Sequence, residues 1–232
     1  MSQNEITTTI ENQEVQNVVA ASETATKPVR IKKRMSTYNL ATMAILAAIA
    51  AVLFMLEIVV FPAVPFYKLD FSNLPVLLGA FAMGPFEGVL ILAIKAILGL
   101  LHTTSGGVGE LADFIVGTAM VVPAGLIYHQ KKSRGGALLG MLVGTVCAII
   151  AAIFANYFIM FPAFGITEEA LVGMGSKMFA GVTSTWTFVF YITALFNLIK
   201  FVAISVVGYL IYKPLSPVLH GRKAGSRKAN QK

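Results

Sequence analysis

The sequence predicts an all-α membrane protein: a bundle of six transmembrane helices with both termini in the cytoplasm. Three observations carry that prediction. Hydrophobic residues make up 56% of the 232 and charged residues only 12%, against about 25% charged in a soluble domain; the mean hydropathy is +0.76. The apolar residues form long continuous runs without two-residue alternation, which argues for helices and against an outer-membrane barrel. Fourteen of the eighteen Lys and Arg fall in three clusters: five in 27–34, three in 131–134 and six from 213 onward. Such clusters flank membrane helices and orient them, so the formal charge of +7 is no nucleic-acid stripe.

Taken in chain order, residues 1–35 read as a disordered cytoplasmic tail, rich in Thr, Asn, Gln and Glu and poor in core-forming residues. They do not read as a signal peptide, because the basic cluster comes late and the following apolar run is long enough to span. The membrane domain is placed at 36–213 and a basic cytoplasmic tail at 214–232. Clear spans are 39–60, 110–129, 136–161 and 186–212, each near the roughly 20 residues that a ~30 Å hydrocarbon core requires. The region 71–101 reads as one overlong helix or as two short ones broken at Met83-Gly84-Pro85. Charge decides between them. Two helices put all three basic clusters inside and leave only Lys68 and Lys177 outside. Gly84-Pro85 is then the cytoplasmic turn, and the second helix, about 72–83, is short and leans on its neighbours. The external connections are 61–71, 102–109 and 162–185, the last long enough for a lid or binding loop.

Polar residues at membrane depth are the candidate site. An unpaired charge there costs roughly 2.5–3.5 kcal/mol on insertion scales, so each needs a partner or a wet cavity. Asn156, Asn197 and Lys200 read as lining one pocket open to the outside, with Asn197 and Lys200 sharing a helix face. Glu110 and Asp113 share a face at the external start of the fourth helix. They either join that pocket or serve the positive end of the helix dipole. The Pro-punctuated segment 61–79 carries Tyr67, Lys68 and Asp70 and can fold over the pocket mouth. Lys95 reads as structural, pairing with Glu57 or Glu87. Ala44/Ala48 and Ala47/Ala51 in the first helix make a small-residue strip, suited either to internal packing or to a partner helix. The lone Cys147 reads as a packing residue, and His102, His129 and His220 lack metal-ligand spacing. No P-loop, zinc-protease or nucleophile-elbow motif is present, so no ATPase or hydrolase chemistry is expected.

The ordered pieces resemble one family closely. They are the Ala-rich first helix, Leu69-Asp70-Phe71-Ser72-Asn73-Leu74-Pro75, Gly84-Pro85 with Gly88, and Lys95. Gly109-Glu110-Leu111-Ala112-Asp113-Phe114, Asn156-Tyr157-Phe158 with Pro162, and Phe196-Asn197-Leu198-Ile199-Lys200 follow. Together they span about 36–213 and resemble the riboflavin-specific substrate-binding components of energy-coupling-factor (ECF) vitamin transporters. That family commonly has Asn where Asp113 stands and Lys-Asn where this chain has Lys95-Ala96. The resemblance implies a six-helix protein that binds riboflavin from outside without catalysis and without a cofactor of its own. It implies docking on a membrane coupling subunit with two cytosolic ATPases that consume the ATP. It also implies Asn156 and Lys200 as ligand contacts, backbone around Leu69 closing the top, and the alanine strip as the docking surface.

Overall fold

The computed structural model describes residues 37–220. The predicted N-terminal tail lies outside the described residues, as does most of the C-terminal one. The first helix, α1 (Thr37–Met55), is followed by a small antiparallel ladder of β1 (Ile58–Val59) and β2 (Lys68–Leu69), with Ile58 opposite Leu69 and Val59 opposite Lys68. Then come α2 (Asn73–Ala82), α3 (Pro85–Gly99) with a 3₁₀ turn at Leu100–His102, α4 (Val108–Gln130) and α5 (Arg134–Ala155). A π-helical turn, Asn156–Met160, carries α5 into a last turn at Phe161–Ala163. The short α6 (Glu168–Gly175) precedes α7 (Thr185–Phe188), which passes through a second π-helical turn, Val189–Thr193, into α8 (Ala194–His220).

Five of these helical stretches are long and apolar enough to cross a membrane: 37–55, 85–102, 108–130, 134–163 and 185–211. The remaining predicted span, α2, has ten residues, about 15 Å at 1.5 Å per residue. It is also the most enclosed helix, with eight of its ten residues buried and α1, α3, α4 and α8 packed around it. With Leu78 only partly buried and Ala82 exposed, it presents little surface that would need to match the bilayer thickness. Gly84 makes the turn into α3 at φ +147°, a region that favours glycine, and Pro85 follows at the first helical position, where its missing N–H costs nothing. Close packing of α4 on α5 depends on Gly144, where a Cβ would lie 2.5 Å from the Met120 carbonyl oxygen.

The structure departs from the sequence expectation at several boundaries. The first helix stops at Met55 rather than near Val60, because Ile58 and Val59 pair with β2. The last helix runs on to His220 where a tail was expected at 214; Leu215, Val218 and Leu219 continue the helical i, i+3, i+4 spacing. The 162–185 connection is not irregular. It holds α6, capped by the Thr167 side chain, and the Glu168 carboxylate accepts from the backbone N–H and hydroxyl of Thr185 at 3.0 and 2.9 Å.

Candidate functional site

At the end of the bundle that carries the ladder, a cavity of about 790 Å³ opens between α1, α3, α4, α5 and α8. Its apolar wall includes Phe54, Met55, Phe66, Met160 and Phe196. Its polar side includes Tyr67, Asp70, Glu110, Asp113, Asn156, Asn197 and Lys200, with Glu57, Lys68, His102, Thr104 and Ser105 completing the polar lining. Seven of the eight residues expected to bind substrate therefore line one space. The eighth, Leu69, is implied through its backbone rather than its side chain. Side chains alternate across a strand; Lys68 lines the cavity, while Leu69 packs into the aromatic cluster around Phe188 and Phe196.

A buried ionic network closes the inner end. Asp113 receives Lys95 Nζ on Oδ2 at 2.5 Å and Lys200 Nζ on Oδ1 at 3.1 Å. Lys200 also donates to Asp70 Oδ2 at 2.8 Å. Lys95 further donates to Ser72 Oγ at 2.8 Å and Asn73 Oδ1 at 3.1 Å. Asp70 takes the Ser72 backbone N–H at 2.8 Å and its hydroxyl, while the Asn73 amide donates to Asp113 Oδ1 at 3.2 Å. Two carboxylates and two ammonium groups thus neutralise each other at a depth where single charges are costly. The expected partners of Lys95 are wrong. Glu57 pairs with Lys68 across the ladder, and Glu87 lies two helical turns away, about 12 Å along α3. Lys200 consequently has one N–H left for a ligand, since an ammonium carries three.

Tyr67 joins this end of the bundle together. Its hydroxyl donates to Asn156 Oδ1 at 3.1 Å and pairs with the Thr193 hydroxyl, so one side chain bridges both π-helical turns. Its ring stacks on Phe196 at 4.8 Å. Burial pushes this phenol well above its ordinary pKa, the Thr193 bond opposing the shift, so it stays a neutral donor. Single π turns recur at functional sites. The first has a readable cause: Pro162 cannot donate to the Phe158 carbonyl and its ring crowds it, so the helix widens just ahead. Asn156 donates back to the Ala152 carbonyl at 2.8 Å and Asn197 to the Thr193 carbonyl at 2.9 Å. Each amide keeps one N–H and acceptor capacity for a ligand.

The alanine strip divides. Ala44 and Ala48 are exposed and Ala51 is half-buried, but Ala47 is buried in the core against α2 and its neighbours. Ala47 is thus withdrawn from any outward surface, because residues three and four apart straddle the line between the packed and free faces of α1. Ala48 and Ala51 also line the cavity. Sequence reasoning missed Ser72, Asn73 and Thr193 as parts of this site. The only available signal was that Ser72 and Asn73 follow Asp70 in a turn opening a helix.

A family model described as the substrate-specific component of ECF transporters matches residues 38–212. The chain belongs to that family. Among relatives, the riboflavin transporter RibU of Staphylococcus aureus (strain TCH60) is 29% identical over 181 residues, 78% of this chain and 92% of that protein. The riboflavin transporter FmnP of Bacillus subtilis (strain 168) is 29% identical over 201 residues, 82% of this chain and 98% of that one. The solved S component of a bacterial ECF transporter superposes with a TM-score of 0.66 at 28% identity, covering 80% of this chain and 99% of that chain. As an ECF substrate-specific component, the chain is a membrane transport protein.

Proposed function

We propose that this chain is the riboflavin-binding subunit of an ATP-driven ECF uptake transporter, capturing the vitamin from outside the cell and docking on a coupling module. The observation that carries the reading is the cavity's division into an aromatic and aliphatic wall and a short polar face. Riboflavin has the matching halves: a flat three-ring system, a uracil-like edge and a ribityl chain of hydroxyls. Apolar enclosure supplies affinity, and a few fixed polar groups orient the ligand. The free amide groups of Asn156 and Asn197 offer a donor and an acceptor to the edge, and the third N–H of Lys200 a charged donor. The relatives named as riboflavin transporters support the same cargo.

Six crossings with both termini cytoplasmic fit the three basic clusters. Docking on a membrane coupling subunit served by two cytosolic ATPases fits the exposed Ala44–Ala48 row, where a partner helix could approach closely. The ATP would be consumed by those partners, and this chain would need neither a catalytic residue nor a cofactor. Calorimetry of the purified protein with riboflavin, thiamine and pantothenate tests the cargo. Riboflavin should bind alone among the three; heat from another vitamin and none from riboflavin would reassign the ligand.

A further inference from the structure

The charges around the cavity do not balance, and the residue left over is Glu110. It is 6% exposed in the first turn of α4. Its Oε2 accepts from the Ser105 hydroxyl at 2.8 Å, and Ser105 Oγ in turn accepts the Gly109 N–H at 2.9 Å. Every other Asp, Glu, Lys or Arg described in the lining has an opposite charge beside it: Glu57 with Lys68, and Asp70 and Asp113 with Lys200. Among the described residues no cation pairs with Glu110. One carboxylate therefore faces the cavity with acceptor capacity to spare.

Its position matters as much as its charge. Glu110 lies one helical turn from Asp113, about 4.5 Å along the axis, on the side of the 103–107 loop. Beyond Asn156, Asn197 and Lys200 the lining also carries Glu57, Lys68, His102, Thr104 and Ser105, and Glu110 is the acidic group there with no cation beside it. A ligand whose ring edge met the first three would have its chain free to reach it. For riboflavin that chain bears hydroxyls, which donate well to a carboxylate. Adding a phosphate at its end brings a charge of about −1.5 to −2 toward a carboxylate that is already uncompensated.

We propose that Glu110 is the specificity-determining residue that accepts the ribityl hydroxyls and rejects a terminal phosphate, selecting free riboflavin over riboflavin 5′-phosphate. This rests on the riboflavin reading above. Flavin fluorescence quenching gives the dissociation constants of riboflavin, its 5′-phosphate and a neutral 5′-acetyl ester for the wild-type protein and for Glu110→Gln. The wild type should bind the neutral ester nearly as well as riboflavin and the phosphate at least about tenfold more weakly. Tenfold is a conservative size for like charges some 8–10 Å apart in a partly screened interior. Glu110→Gln should bind riboflavin a few-fold more weakly while narrowing the phosphate penalty by about tenfold. An ester rejected as strongly as the phosphate would make the discrimination steric and overturn the proposal, as would an unchanged penalty in Glu110→Gln. The wild-type comparison decides alone if the variant does not fold. Absence of riboflavin binding to folded wild type would instead sink the cargo assignment itself.

Discussion

Asp113 holds a different ammonium group on each of its oxygens, and that sharing changes what the two membrane lysines should do when replaced. Lys95→Met leaves the carboxylate with Lys200 alone, and breaking a buried pair typically costs about 3–5 kcal/mol. Lys95→Met with Asp113→Asn removes one charge of each sign and leaves the Lys200–Asp70 pair intact. The double variant should therefore unfold in detergent at a higher temperature than Lys95→Met alone. Additive losses would mean that the pair is not energetically coupled. Asn197→Ala removes a cavity-lining amide without touching the ionic network, and on the riboflavin reading should weaken binding by about 1–2 kcal/mol in calorimetry with little change in unfolding. Much of this site was legible in the sequence: Asn156, Asn197 and Lys200 stood out because polar groups inside apolar runs need a reason. The pairings were not. Lys95 meets Asp113 only because α3 and α4 are rotated to face each other, and periodicity within one helix does not determine its neighbour's rotation.

Helices and turns follow the same division between what a repeat encodes and what packing decides. The long helices were readable from length and hydropathy, and the break at Gly84-Pro85 from turn chemistry. A two-residue ladder at 58–59 has no period to detect and merges with the apolar run before it. The split of the alanines was equally hidden, and it yields a clean pair of variants. Ala44→Trp adds bulk at an exposed position outside the cavity lining. It should preserve riboflavin affinity while abolishing cellular uptake and co-purification with a coupling subunit. Ala51→Trp projects into the cavity lining and should weaken binding itself by tenfold or more. Equal affinity in both would detach α1 from the cavity wall. In the connection carrying α6, the bonds from Thr185 hold the Glu168 carboxyl below its ordinary pKa of 4.5. A depressed carboxyl stabilises the fold above that value and loses the effect as pH falls through the lower, folded pKa. Hydrogen exchange at the Thr185 amide should accelerate, relative to the intrinsic rate, on acidification below pH 4.5, and Glu168→Gln should flatten that dependence.

Across the whole molecule, the proposed orientation can be read with single cysteines in a Cys147→Ala background. A cysteine at Lys132 should be protected from an impermeant maleimide in intact cells and one at Thr104 labelled; the reverse pattern would invert the topology. The shortness of α2 has a further consequence at this scale. Its first residues, with Asp70 and Ser72 just ahead of them, join the network with Lys95 and Lys200 at the inner end of the cavity. Ten helical residues, about 15 Å, separate that level from the Gly84-Pro85 turn, against a hydrocarbon layer of about 30 Å. In the proposed orientation, a molecule resting against Lys200 would have completed about half its journey through the bilayer before any ATP is spent. The coupling module would have to move it only the second half of the way, through a barrier built of α2 and the side chains packed around it.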